Sequence, residues 1–146
     1  MLELDFMIVS DHVRAENGVL HMIAAGADTI TARDVPSARS IGIGLSLKLP
    51  RREVAENHTL RLIFYGADGA RIAEVGADLP ARFEPPNVPV GRKVGVVAAL
   101  NMSLPLPAYG DYSLELLVNG DHKKRIPIYV IPPAETPGSH GSPHWM

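Results

Sequence analysis

Cysteine is absent from the 146 residues. That excludes disulfides, thiolate metal sites, iron–sulfur clusters and cysteine nucleophiles. Aromatic side chains are scarce, at 5% of the chain. Single-stranded nucleic-acid sites stack bases on such rings, so few rings argue against one. An excess of basic charge is missing too, since the formal net charge is -2, which argues against a dedicated nucleic-acid binder. Long apolar runs are lacking. The longest lies near Val94–Leu100, far short of the about 20 residues a membrane-spanning helix needs. Glu3 and Asp5 stand where an export signal would carry positive charge. These absences lead to the expectation of a cytoplasmic protein with no membrane and no nucleic acid among its partners.

What is present points to strands. Thirteen prolines and 13 glycines punctuate the chain, a rhythm of short strands and turns. Ile41, Ile43, Leu45, Leu47 and Leu49 alternate with small or polar residues. So do Leu60, Leu62 and Phe64; Tyr112, Leu114, Leu116 and Val118; and Ile126, Ile128 and Val130. A period of two places each set on one face of a strand. Asn17-Gly18, Asp68-Gly69 and Asn119-Gly120 are hairpin signals, because these residues tolerate positive φ. The pattern predicts strands over 3–10, 18–25, 39–49, 58–66, 70–83, 93–104, 111–119 and 123–131. Eight antiparallel strands need two packed sheets or a closed barrel. We expect an all-β antiparallel sandwich over 1–131, immunoglobulin-like or C2-like, with a disordered tail over 132–146. Arg51–Asn57 reads as a polar loop rather than a helix, being too short to stand alone. The segment 84–91 has three prolines and reads as an ordered loop. Pro127, inside an alternating run, suggests an edge position or a bulge.

Several residues together resemble a known family. They are Leu4-Asp5-Phe6-Met7-Ile8-Val9-Ser10-Asp11 with Asn17-Gly18-Val19-Leu20, then Leu47–Pro50, then Asn57-His58-Thr59-Leu60-Arg61 running into Ala67-Asp68-Gly69. Leu106-Pro107-Ala108-Tyr109-Gly110-Asp111-Tyr112, Asn119-Gly120 and Ile126-Pro127 complete the set. They are similar to a family of short bacterial proteins, common in actinobacteria, of unknown function. The resemblance covers about residues 1–131. It implies a β-sandwich and carries over no activity and no catalytic residue. Pro107–Val118 also resembles the end of immunoglobulin-like domains. Tyr112 is then either a tyrosine corner, its hydroxyl bonding upstream backbone, or a plain core residue.

The search for chemistry returns little. No Gly-x-Ser-x-Gly elbow occurs, Gly42-Ile43-Gly44 lacks the helix a dinucleotide site needs, and no P-loop is present. The six histidines include no His-x-His or His-Glu-x-x-His spacing. His58 reads as a structural side chain at a strand start. His140 and His144 lie in the tail. We expect no catalytic centre, no metal and no cofactor. The residues singled out are surface groups. Lys123, Lys124 and Arg125 form a basic run that serves either an acidic partner or edge protection. Tyr65 and Tyr129 are strand-end aromatics. Trp145 is the single tryptophan, an anchor for a partner's pocket or a solvated terminus. Strands 60–65 and 112–119 carry apolar residues on both faces. The function expected is a non-enzymatic interaction or assembly module with a protein partner or a second copy. A small-ligand or carbohydrate-binding module, using Tyr65, Tyr109, Tyr129 or His58, is the alternative.

Overall fold

The computed structural model describes residues 2–81, 89 and 91–134. The order of strands is β1 (Glu3–Ser10), β2 (His12–Glu16), β3 (Val19–Ile23), β4 (Thr29–Thr31), β5 (Ser37–Leu49), β6 (His58–Tyr65), β7 (Arg71–Leu79), β8 (Val94–Leu106), β9 (Gly110–Val118) and β10 (Asp121–Ile131). The fold is all-β, as expected. The eight predicted strands are present, and β2 and β4 add to them. Three strands make one sheet in the order β1-β5-β8, and five make another in the order β4-β10-β9-β6-β7. The pairing is antiparallel except for β4 beside β10, which is parallel over three residues. This departs from the all-antiparallel expectation. β4 is held there by single backbone bonds at either end, Tyr129 N–H to Asp28 O and Ala32 N–H to Ile131 O, both 2.9 Å or shorter.

The two sheets share one core. Ile43, Leu45 and Leu47 of β5 are fully buried, as are Leu62 and Phe64 of β6 and Leu114 and Leu116 of β9. Each such side chain contributes roughly 1.5–3 kcal/mol by leaving water. Their spacing of two is the alternation seen in the sequence, and both faces of β5 end up covered. Its inner row fills the sandwich. Its outer row, Gly42, Gly44 and Ser46, lies under the hairpin β2–β3 and beside β1. A Cβ on Gly42 would come within 2.8 Å of the Val13 nitrogen, and one on Gly44 within 2.8 Å of Met22. Glycine at both positions lets the hairpin lie flat against the sheet. Asn101 of β8 fastens it. Its side-chain oxygen accepts from Val13 N–H at 2.9 Å and its amide donates to Val13 O at 2.7 Å.

Local signals resolve as follows. Asn17-Gly18 and Asn119-Gly120 each turn with two positive φ angles, 52° and 75°, and 53° and 84°. That is the geometry a two-residue hairpin loop favours. Arg51–Ala55 is a 3-10 turn rather than the expected loop. Val54 is buried beneath it, and His58 fixes its end. The ring nitrogen Nε2 donates to Glu53 O at 2.7 Å, and Nδ1 accepts from the Asn119 amide at 2.9 Å. A carbonyl can only accept, so these partners set the tautomer. His58 therefore has the structural role expected of it. Tyr112 forms the tyrosine corner. Its buried hydroxyl donates to Ala108 O at 2.6 Å and accepts from Ala108 N–H at 3.2 Å. Trp145, His140, His144 and most of the 84–91 loop fall outside the described residues. No helix among the described residues is long and apolar enough to cross a membrane.

Candidate functional site

The outer face of the five-stranded sheet gathers part of the predicted set. Tyr65 on β6 pairs with Ser113 on β9, which pairs with Pro127 on β10. Arg125 and Tyr129 flank Pro127 at a spacing of two, so Tyr65, Arg125 and Tyr129 share that face. The Arg125 guanidinium lies 4.5 Å over the Tyr65 ring, a cation–π contact. It also donates to the Ser113 hydroxyl at 3.0 and 3.2 Å. Glu115 completes the group. It accepts from the Tyr65 hydroxyl at 2.9 Å and from His122 Nδ1 at 2.7 Å. These two hydrogen bonds, Tyr65 first, hold its carboxyl below the ordinary glutamate value. Farther along the same face Arg61 grips Glu74 in a bidentate pair at 2.8 and 2.9 Å. Arg71 joins it at 3.0 Å. Ile63, buried on this outer face, stands in the ladder between Glu74 and Glu115. The second apolar row noted in the sequence is thus roofed in part by paired charges. Ser113, Glu115 and His122 were not singled out in the sequence. Their signal was the alternation itself, which turns 113 and 115 outward once 112, 114 and 116 face the core.

Lys123 and Lys124 stand elsewhere. The register of β10 shifts between His122 and Lys124, so Lys123 is the bulged residue. Its ammonium donates to Leu2 O at 3.4 Å. Both lysines line a cleft of about 630 Å³ between β1 and β10, with Leu2, Leu4 and Met7 on the other wall. The basic run is therefore split between a cleft and a sheet face.

The sheet edges differ sharply from one another. An edge strand exposes unpaired N–H and C=O groups and invites another chain unless something discourages it. β4 is three residues long. β7 carries Arg71, Glu74 and Asp78. β1 carries Glu3 and Asp5, with a register break between Leu4 and Phe6. β10 beyond the reach of β4 carries the bulge, Lys123, Lys124, Arg125 and Pro127. Tyr129 N–H points at β4, so Pro127, two residues earlier, directs its nitrogen the same way and has no N–H to leave unmet. The edge position suggested for Pro127 is the one it occupies. The hairpin strands β2 and β3 are five residues each.

β8 carries none of these charges, bulges or breaks along most of its length, and the β2–β3 hairpin is fastened to it at Asn101. It runs 13 residues, Val94–Leu106, without a charged side chain. Its register with β5 is unbroken, and among the described residues it pairs with β5 alone. The Ser10 hydroxyl donates to Gly42 O at 3.2 Å, so that carbonyl faces β1 and not β8. The Gly42 partner in β8, Asn101, accordingly turns its own N–H and C=O away from β5. So do the alternate residues Gly95, Val97, Ala99 and Ser103. Pro105 falls in the same row, the one place where a proline costs β5 no bond. Among the described residues the result is a ladder without a partner strand from Gly95 to Ser103.

Fold and edges together define an all-β chain that has, among its described residues, one long, uncharged edge without a partner strand. The chain belongs to a family of unknown function, DUF6941, whose sequence pattern matches residues 5–131. No curated protein matches it.

Proposed function

We propose that this chain is a non-enzymatic protein-interaction module that takes up a partner strand along β8. The observation that carries this reading is the contrast among edges. β1, β7 and β10 bear charges, bulges or proline, β4 is very short, and the longest edge bears no charge. Strand addition draws its affinity from backbone bonds and its selectivity from alternate side chains. The tyrosine corner at Tyr112 supports an immunoglobulin-like kinship for the sandwich. A chain free of cysteine can work in a reducing cytoplasm, which is where we place it. A small-ligand site would lean on Tyr65, but Arg125 already occupies one face of that ring.

Amide hydrogen exchange tests the proposal on the dilute protein. The N–H groups of Gly95, Val97, Ala99, Asn101 and Ser103 should exchange fast, while those of Val96, Ala98 and Leu100 stay protected by β5. Protection of both rows in the dilute monomer would mean the edge is covered, and the reading would fall.

A further inference from the structure

Resting on the strand-addition reading, we infer that the strand received by β8 is β8 of a second copy of this chain, antiparallel about a two-fold axis. The three-stranded sheets of two copies then join into one continuous sheet with β8 against β8 at its centre. Charge argues for this occupant. A strand that pairs antiparallel with its own copy brings a run of one sign against itself wherever the axis passes near that run, and like charges in such positions repel. β10, paired about an axis near Lys124, would bring Lys123, Lys124 and Arg125 against the same three residues. β8 opposes none, because it has none. The weak net charge of -2 adds little repulsion between whole molecules.

Backbone parity sets the register. The residues whose N–H and C=O face outward run Gly95, Val97, Ala99, Asn101, Ser103 and Pro105, and Pro105 has no N–H to give. The usable ladder is therefore Gly95–Ser103, and its midpoint is Ala99. The axis passes beside Ala99, with Val97 opposite Asn101 and Gly95 opposite Ser103 of the other copy. At a rise of about 3.3 Å per residue that ladder is about 30 Å long. One ladder of that length buries less than the about 1,000 Å² expected of a stable specific interface. The dimer should accordingly form over the micromolar range and not persist at high dilution.

Light scattering after size exclusion, from low to high micromolar concentration, reads the association. The wild type should pass from monomer to dimer. Ala99→Lys should weaken pairing by about tenfold or more, the effect of about 1.4 kcal/mol or more. Thr59→Lys makes the same charge change on the other sheet and should dimerise as the wild type does. A second measurement is independent of whether the lysine variant folds. Ala99→Cys places the only thiol of the chain at the axis, where opposed Cα atoms stand about 5.5 Å apart, within disulfide range. Mild oxidation should link it into a covalent dimer and leave an Asp78→Cys variant unlinked. A dimer indifferent to Ala99→Lys, or Ala99→Cys chains that do not link, would overturn pairing through β8. If the wild type stays monomeric throughout, a synthetic Val94–Leu106 peptide with terminal lysines is added. Protection of Gly95, Val97 and Ala99 amides by that peptide would overturn the second copy as occupant and leave strand addition standing. No protection would overturn both.

Discussion

The Tyr112 hydroxyl is buried and serves both backbone groups of Ala108. Tyr112→Phe leaves the ring in the core and strands that N–H and that C=O. A lost hydrogen bond with part-buried partners costs about 1–2 kcal/mol. Urea denaturation should show that loss as a lower midpoint with an unchanged slope. Glu115 is a different case, because its contribution depends on pH. Hydrogen bonds from Tyr65 and His122 lower its folded-state value from the ordinary 4.5. A carboxylate with a depressed folded value stabilises the fold above the unfolded value, and that contribution is lost as pH falls through the folded one. Wild-type stability should therefore decline as pH drops below about 4.5, the window where the unfolded carboxylate begins to bind a proton. Glu3 and Glu74 are lowered as well, by Lys93 and Arg61, so the bare acid slope is shared. The difference between the wild type and Glu115→Gln isolates one site. It should be largest near neutral pH and shrink through the acid range; a difference that stays flat would mean the Tyr65–Glu115–His122 group adds nothing that depends on its charge.

Among the elements, the β2–β3 hairpin shows how a small residue fixes a large contact. Gly42→Ala would push a methyl to within 2.8 Å of both the Val13 nitrogen and the Asn101 side chain, and 2.9 Å of the Ser10 hydroxyl. Three tight contacts, one with backbone, leave little room to relax. Overpacking of this kind costs about 1–3 kcal/mol, and the Asn101 bonds to Val13 are the ones placed to break. The Val13 amide, protected in the wild type, should exchange readily in Gly42→Ala, with thermal unfolding shifted down. Protection that survives the substitution would show that the hairpin is held mainly by Leu20 and Met22. The same hairpin marks the limit of what the sequence makes legible. β5, β6, β9 and β10 announce themselves because one face is core and the period of two is clean. β2 has one buried apolar side chain, Val13, among exposed neighbours, and β4 is too short to show a period at all. Gly42 and Gly44 read as small residues on a strand face; that they floor a docked hairpin is a fact of tertiary contact. Tyr65, legible as a strand-end aromatic, and Arg125, legible in a basic run, do meet, whereas their partner Glu115 required the pairing of β9 with both β6 and β10. β8 was legible as a strand over 93–104, but not as the border of a sheet. Strand order decides whether such a run lies inside a sheet or at its border, and order depends on pairings between β5 and β8, whose partners lie far apart in the chain.

At the scale of the whole molecule, the number of open edges decides what self-association can build. A single open edge paired about a two-fold axis closes on itself, so assembly stops at two. A second open edge would remove that stop, since each dimer would still offer a strand at either end. The strand next in line is β10, where Pro127 lacks an N–H and Lys123, Lys124 and Arg125 place like charges side by side. Pro127→Val restores an outward N–H, and Lys124→Thr lowers the charge. Together they should turn a closed dimer into open chains, seen by light scattering as mass that climbs with concentration past two copies, and at length as precipitation. The β-branched replacements suit a strand, so the fold itself should survive, which circular dichroism can verify. Adding Ala99→Lys to that background closes the β8 edge again and should return the protein to species no larger than a dimer, now joined through β10. If the double variant stays at the wild-type mass, the proline and lysines are not what keeps β10 unpaired, and the contrast among edges loses its physical basis. If it polymerises and Ala99→Lys does not limit it, the growth runs through some surface other than β8.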